Sequence, residues 1–288
     1  KIRSTLFSQF MMISLPMYRA LCYADVFSFP LTMEEMQRFA IRTWSVQTGV
    51  TVSQHIIHHK VMNKHSYYCL LGRQSLISQR IAHLPIIKEK LHHAFAAARI
   101  FSFMPTVSAV FVTGGLAVGN VKKKDDIDFL IVTKPGWLWT TRLMLVIWSK
   151  LLGRYTHKRA RREDATPADA NTWCLNMWLD ETALAVPKTQ RNLYTAHEVI
   201  QATCLVDKRH IADRFLAENG WVKKYLPMRK IQKRSFSFKK QKPGLVEYLA
   251  FLFQRKALGN TSSRYARAAR FFPKETGTFV LGELHRRI

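Results

Sequence analysis

The sequence predicts an α+β protein, in which a small mixed sheet flanked by helices lies between a helical N-terminal unit and a helical C-terminal region. Two apolar, β-branched runs, 107–115 and 126–133, predict strands. A third strand is predicted at 171–181 from its aromatic content and alternation, and the apolar run 137–152 before it has the length of a helix. Strand, loop, strand, helix, strand is the order of an α/β-type sheet module.

The composition is that of a globular and strongly basic protein. The 288 residues contain 45 Lys and Arg against 19 Asp and Glu, so the formal net charge is +26. A charge of this size favours nucleotides, nucleic acid or an anionic membrane surface as partners, without choosing among them. Four well-separated cysteines form no CxxC pair, which argues against a zinc ribbon or a disulfide framework and predicts a cytoplasmic protein. We expect no transmembrane segment, because a span needs about 20 consecutive apolar residues.

Residues 1–77 are predicted to form a winged-helix-like unit. Three short helices are expected, and Thr32 with Glu35 forms a capping box that starts the second of them. A strand–turn–strand hairpin is expected around 65–72. Winged helices bind DNA in many proteins and act as dimerisation or docking modules in many others, so both roles stay open.

The rest of the chain is expected to divide into a nucleotide-site domain, a linker and a tail. Their predicted bounds are 78–228, 229–243 and 244–288. The domain is expected to contain helices at 78–103, 192–206 and 208–225. The tail is expected to contain two amphipathic helices, at 243–259 and 262–272.

The segment 229–242 is a candidate arm for nucleic acid. It carries seven basic residues and no acid, with little apolar periodicity. Such a segment binds polyanions through charge, and its aromatic residues can stack on bases. A solvated linker without a partner explains the same composition, and both explanations stay open.

The strand at 126–133 begins with Asp126 and Asp128, a short loop after Gly114 and Gly115. Strand alternation places the two carboxylates on one side of the strand end, about 7 Å apart. That arrangement makes a poor ion pair and a good clamp for a divalent metal. The glycines leave backbone N–H groups accessible to a polyphosphate. The pattern therefore predicts a site for a metal–triphosphate complex.

A second explanation involves the loop lysines Lys122, Lys123 and Lys124. These cations would neutralise Asp125 and its two neighbouring aspartates within a charged loop, with no metal. The agreement of the glycines, the two strands and their spacing favours the metal site over this explanation.

The segments TGG and DDIDFLIV, within residues 105–182, resemble the signature of the nucleotidyltransferase superfamily related to DNA polymerase β. The wider layout, over residues 15–228, resembles bacterial nucleotidyltransferase-domain proteins with a winged-helix-like N-terminal region. The resemblance implies transfer of a nucleoside monophosphate from a nucleoside triphosphate (NTP) to a hydroxyl or similar acceptor, assisted by Mg²⁺ or Mn²⁺. Asp126 and Asp128 would be the catalytic, metal-binding residues.

The resemblance also implies a nucleotide-binding role for the residues before the acids. Gly114 and Gly115 would cradle the triphosphate. Lys122 and Lys124 would either offset phosphate charge or remain on a solvated face of the loop.

A third carboxylate, common on the next strand of such enzymes, has no clear counterpart here. Its possible positions are Asn176, at mid-strand, and Asp180, at the strand end about 13 Å further along. Regular alternation would place both on one face together with Cys174 and Trp178. We then expect Asn176 to face the two aspartates and Asp180 to cap the strand away from them.

Three functions follow from these observations. The leading one is a Mg²⁺-dependent nucleotidyltransferase. The alternative is a non-catalytic nucleic-acid-binding or nucleotide-sensing protein that uses the winged helix and the basic arm. A third is a peripheral membrane protein attached by its basic, Trp-rich helices. The sequence leaves the acceptor, the preferred NTP and the oligomeric state open.

Overall fold

The computed structural model describes residues 13–43, 60–155, 170–228, 242–257, 265–270 and 274–288. Within them the chain is a mixed α/β protein with sheets flanked by helices, which confirms the predicted class at that level. The chain divides into two compact units. The first is 1–81 with 223–228 and 277–288, and the second is 82–222 with 229–276. Each helix in the described ranges is too short or too polar to cross a lipid bilayer.

The described helices and strands have the following bounds. The helices are α1 (Leu15–Val26), α2 (Met33–Arg38), α3 (Ser75–Ser102), α4 (Gly114–Val118), α5 (Leu138–Leu151), α6 (Leu193–Gln201), α7 (Ile211–Glu218), α8 (Leu245–Ala257) and α9 (Lys274–Arg287). The strands are β1 (Leu31–Thr32), β2 (Val61–Lys64), β3 (Tyr67–Leu70), β4 (Val107–Val112), β5 (Ile127–Thr133), β6 (Trp173–Asp180), β7 (Thr203–Asp207) and β8 (Ala268–Arg270).

In the described part of the first unit, three antiparallel strands pair in the order β1–β3–β2 beside α1 and α2. The predicted capping box is present. The Glu35 amide donates to Thr32 Oγ1 at 3.2 Å, and the Thr32 amide donates to Glu35 Oε2 at 2.8 Å. The predicted hairpin is confirmed as β2 and β3, a few residues earlier than expected. The third predicted helix of this unit lies outside the described residues.

The described strands of the second unit pair in the order β7–β4–β5–β6–β8. β5 and β6 run parallel, whereas the other neighbouring strands run antiparallel. The central strands are buried because helices cover both faces. One face packs Phe129 and Trp178 against α3, α5 and α8, and the other packs Leu130 and Met177 against α6 and α7. Because β5 runs antiparallel to β4 and parallel to β6, the end of β4 and the starts of β5 and β6 meet at the same end of the sheet.

Two of the predicted helices are wrong in part. The helix expected at 192–206 ends at Gln201, and β7 occupies the rest of the segment. The helix expected at 262–272 contains β8, which pairs with the open edge of β6. In both segments, pairing with an available sheet edge outweighs the local helical pattern. The helix expected at 208–225 is the shorter α7, followed by a 3-10 segment.

The unit boundaries differ from those expected from composition. The expected boundary between residues 77 and 78 lies inside α3, as does the observed boundary between 81 and 82. The expected tail, 244–288, is divided between the units, since α8 and β8 belong to the second unit and 277–288 to the first. The expected linker, 229–243, lies outside the described residues except for its last two positions.

The start of α5 depends on an acid of α8. The Glu247 side chain accepts hydrogen bonds from the backbone amides of Trp139 and Thr140, each at 2.8 Å. It also accepts one from the Tyr265 hydroxyl at 2.6 Å. Trp137, at the N-cap, offers no side-chain cap of its own. Glu247, which is 3% exposed, therefore satisfies first-turn N–H groups that would otherwise be buried without an acceptor.

Replacement of this acid tests the contribution of the remote cap. We expect Glu247→Ala to lower the free energy of unfolding by about 3 kcal/mol, because the lost hydrogen bonds involve a charged acceptor and leave buried donors unpaired. Glu89→Ala is the control, since Glu89 is exposed and its contact with His93 is 3.8 Å. Its effect should stay within about 0.5 kcal/mol. Equal losses in urea denaturation would contradict the capping role.

Candidate metal centre

The turn after β4 brings a glycine against Asp128. Gly114 has a φ of +63°, in the left-handed region that favours glycine. A Cβ built there would lie 2.5 Å from Asp128 Oδ2, closer than real Cβ contacts allow. The amide of Thr113 also donates to the Asp128 carbonyl at 3.0 Å. Gly114 and Gly115 are the first two residues of α4, and not the end of the preceding strand as expected.

Asp126 and Asp128 share a small cluster with Cys174. The three side chains each offer a ligand atom, and these atoms lie within 4.8 Å of one another. The pairing of β5 with β6 creates the cluster, because Asp128 pairs with Cys174 in register. Both acids are partly exposed, whereas Cys174 is buried. The predicted proximity of the two aspartates at the strand mouth agrees with this geometry.

Cys174 was not predicted as a site residue. Regular alternation predicts Cys174 on the same strand face as Asn176, but a thiol does not match the carboxylate that the resemblance implies. The parallel pairing of β5 and β6 is the signal that could have identified Cys174, because Cys174 is the second residue of β6 and Asp128 is the second residue of β5. That register could be proposed only after the crossover through α5 was known to return the chain beside β5.

The regular alternation expected along β6 is wrong. The register shifts between the Asp128–Cys174 pair and the Leu130–Met177 pair, so β6 has an additional residue there. As a result, Trp178 joins the same core cluster as Trp173 and Leu175. Cys174 and Trp178 therefore lie on opposite faces. The Asn176 backbone lies at this irregularity, and its side chain is outside the described atoms.

Asp180 lies at the other end of the strand pair. It pairs with Thr133, five residues beyond Asp128, which corresponds to about 17 Å at the usual rise per residue. Its carboxylate is fully buried and accepts hydrogen bonds from the amides of Gly136 and Thr182, at 2.9 and 2.8 Å. Arg267 approaches it at 3.3 Å. Asp180 therefore has a structural role and cannot share a metal with Asp128.

A buried cation of α3 contacts the acid loop and was also missed. Lys90 is 1% exposed, and its ammonium donates to the carbonyl oxygen of Asp125 at 2.5 Å and to Asn171 Oδ1 at 3.1 Å. Burial lowers the pKa of Lys90, and the charges of Asp125 and Asp126 oppose that effect. Lys90 thus joins the loops that precede β5 and β6. In the sequence it is one lysine among several in a basic helix.

The contacts described for the loop lysines are local. In the described part of the chain, no ion pair is seen between Lys122, Lys123 or Lys124 and Asp125 or Asp126. The contact present is local, since the Lys122 amide donates to Asp125 Oδ2 at 2.8 Å. The side chains of Lys122 and Lys124 remain available to other anions, and their nucleotide-binding role stays a prediction.

The surroundings of the cluster raise the pKa of two of its members. Burial raises the pKa of the Asp126 carboxyl, and Asp125 raises it further, while the Cys174 thiol and Lys90 lower it. Burial also raises the pKa of the Cys174 thiol, and the charges of Asp128 and Asp126 add to that effect. A bound divalent cation would lower the pKa values of both groups, because it stabilises the carboxylates and the thiolate.

Two glycine variants separate backbone strain from the contact with Asp128. Gly114→Ala and Gly153→Ala both place alanine at a positive φ, +63° and +61°. Each should cost about 1–2 kcal/mol of stability. Nothing lies within 4 Å of a Cβ at Gly153, whereas at Gly114 the Asp128 side chain must move. We therefore expect Gly114→Ala alone to weaken Mn²⁺ binding in a calorimetric titration. Equal Mn²⁺ affinities would refute the close-contact argument.

The donor set fits two kinds of divalent ion. Mg²⁺ and Mn²⁺ prefer oxygen and would be held by Asp126 and Asp128 with water and phosphate oxygens. A softer ion such as Zn²⁺ would also use the Cys174 sulfur. No protein-family model matches this chain, and no curated protein or solved structure is significantly similar to it. The function must therefore be argued from the geometry of the site itself.

Proposed function

We propose that the second unit is a metal-dependent nucleotidyltransferase. It binds an NTP with Mg²⁺ or Mn²⁺ and transfers the nucleoside monophosphate to an acceptor. The observation that carries the proposal is the convergence of Asp126, Asp128 and Cys174 ligand atoms within 4.8 Å, beside the glycine turn that opens α4. The order of β4, α4, β5 and β6, with β5 antiparallel to β4 and parallel to β6, is compatible with the superfamily that the sequence resembles.

The first turn of α4 supports the position of the triphosphate. The amides at the start of a helix have no intrahelical acceptor, and Thr113 contributes no side-chain cap. Gly114 adjoins the Asp128 carboxylate, so an anion on these amides would lie next to a cation on the carboxylates. Lys122 and Lys124 follow in the next loop, where they would offset the remaining phosphate charge.

The chain positions the reactants, and the metal supplies the electrophilic chemistry. When bound, the divalent metal stabilises the attacking oxygen and the departing pyrophosphate. Asp126 and Asp128 would hold that metal, and Lys90 holds the loop that carries Asp126. The acceptor oxygen bonds to the α-phosphorus as the bond from that phosphorus to the pyrophosphate oxygen breaks. The acceptor proton leaves to water or to the substrate, since the buried thiol of Cys174 is a poor base.

A second candidate function is nucleotide sensing coupled to nucleic-acid binding. Cys174, and not a carboxylate, pairs with Asp128, which favours binding without transfer. In the first unit, the order α1, β1, α2, β2, β3 and the β1–β3–β2 sheet are compatible with a winged helix. The basic arm 229–242 lies outside the described residues except for Lys242. Nucleic acid therefore stays a predicted partner.

Carboxylate removal tests the proposal and separates the two candidates. We expect Asp126→Asn and Asp128→Asn to abolish Mg²⁺-dependent NTP binding while the metal-free fold becomes slightly more stable, because repulsion is relieved. Asp125→Asn is the adjacent control, since Asp125 lies outside the metal cluster and an amide oxygen can still accept from the Lys122 amide. The protein would be incubated with each NTP labelled on the α-phosphate, Mg²⁺ and cell extract.

Binding is measured by equilibrium dialysis, and transfer is measured as label in a new product. Transfer by the wild type that is lost in both asparagine variants supports the enzyme. Binding without any transfer supports the sensor. Undiminished transfer by both variants would rule out the metal assignment.

Substitution of the thiol tests the third position. Cys174→Asp should raise Mg²⁺ affinity roughly tenfold, equivalent to about 1.4 kcal/mol, because a carboxylate replaces a soft, protonated donor. The same change should lower Zn²⁺ affinity. Asn176→Asp is the comparison variant, and the observed register predicts a smaller effect there. Calorimetric titrations in which Asn176→Asp alone strengthens Mg²⁺ binding would show that Cys174 is not the third position.

A further inference from the structure

Helix α5 carries apolar side chains on the side that faces away from the core. Its buried side includes Trp139, Arg142 and Leu145. The opposite side exposes large apolar residues at helical spacing, with 45–78% of each residue accessible: Trp137, Met144, Ile147, Trp148, Leu151 and Leu152. A helix at a water-facing surface normally has a polar outer side, so this surface is unusual for one that stays in water.

Helix α8 extends the same apolar surface. It packs beside α5, where Arg142 donates to Gln254 at 2.7 Å and Gln254 donates to the Trp139 carbonyl at 2.7 Å. Both helices cover one face of the sheet, so their outer sides face away from it together. The outer side of α8 is also apolar, with 55–76% of each residue exposed: Leu245, Val246, Leu249 and Phe253.

We call these outer sides the α5–α8 surface. Its ten large apolar side chains, each about half exposed or more, leave roughly 1,000 Å² accessible, against a few hundred Å² for the largest patch of a typical monomer. In segments 137–155 and 242–257, Glu247 is the one acidic residue, and it is buried. Among the side chains described there, the exposed charges are the cations Lys150, Arg154 and Lys242.

We propose that the α5–α8 surface docks onto an anionic lipid bilayer. The helices would lie in the interface with their apolar side chains among the acyl chains, and the surrounding cations would contact lipid phosphates. Trp137 and Trp148 suit this position, because indole rings favour the boundary between headgroups and hydrocarbon. A second copy of the chain is a poorer occupant, since each copy carries a formal charge of +26.

The test compares two paired substitutions in the full chain. Trp148→Glu with Phe253→Glu alters the α5–α8 surface on both helices. Leu71→Glu with Phe103→Glu introduces the same charge at residues that are 60% and 79% exposed and lie outside this surface. Trp148→Ala with Phe253→Ala removes apolar contact without changing the charge. Circular dichroism establishes that each variant is folded.

Binding is measured by sedimentation with vesicles of phosphatidylcholine, alone or mixed with phosphatidylglycerol. We expect the wild type to bind the mixed vesicles, and both Trp148/Phe253 variants to lose about tenfold or more in partitioning, whereas the Leu71/Phe103 variant loses much less. Absent wild-type binding would overturn the proposal. Equal losses in the two glutamate variants would also overturn the proposal, and so would unchanged binding of the alanine variant. Either result would mean that charge alone attracts the protein to the vesicles. A dimer dispersed by the Trp148/Phe253 changes, without vesicle binding, would assign the surface to a second copy.

Discussion

The parallel pairing of β5 with β6 is the constraint on which the candidate site depends. Both strands are covered by helices on both faces, so their register is determined by the burial of side chains such as Phe129 and Trp178. That register places Cys174 opposite Asp128 at one end and Asp180 opposite Thr133 at the other. Between them, one additional residue in β6 changes which side chains face each layer. The polar residues of β6 are thereby divided between the candidate metal site at one end of the strand and the buried hydrogen bonds of Asp180 at the other.

The acids of the second unit differ in how the protein satisfies them. Glu247 and Asp180 are buried, and each receives at least one hydrogen bond from a backbone amide of another segment, so each holds two parts of the chain together. Glu181 is buried with Arg209 and Arg214, at 3.3 and 3.7 Å. Asp126 instead has an acid and a thiol among its neighbours, and burial raises the pKa of its carboxyl. An arrangement that is unfavourable to the apo protein is typical of a site arranged for a ligand.

The sequence alone was sufficient to predict the elements that have a strong local pattern. The apolar, β-branched runs predict β4 and β5, although β4 ends at Val112 and not at residue 115. The capping box at Thr32 and the proximity of Asp126 to Asp128 follow from capping chemistry and strand alternation, which act within a few residues. Cys174 and Lys90 depend on pairing and packing between segments far apart in the chain. The strands β7 and β8 form in segments with a helical pattern because a neighbouring edge is available, and no local pattern encodes that edge.

The position of β8 has a consequence for the order in which the protein can fold during synthesis. β8 pairs with β6, and α8 supplies the Glu247 cap of α5, yet both follow those partners by many residues. While the ribosome is still adding them, β6 has an unpaired edge beside an apolar core, and such an edge can pair with another chain. The sheet is therefore completed late, through contacts between residues far apart in the sequence. Such contacts form slowly. A nascent chain that ends before α8 would be exposed to aggregation even though all three residues of the metal cluster had already been made.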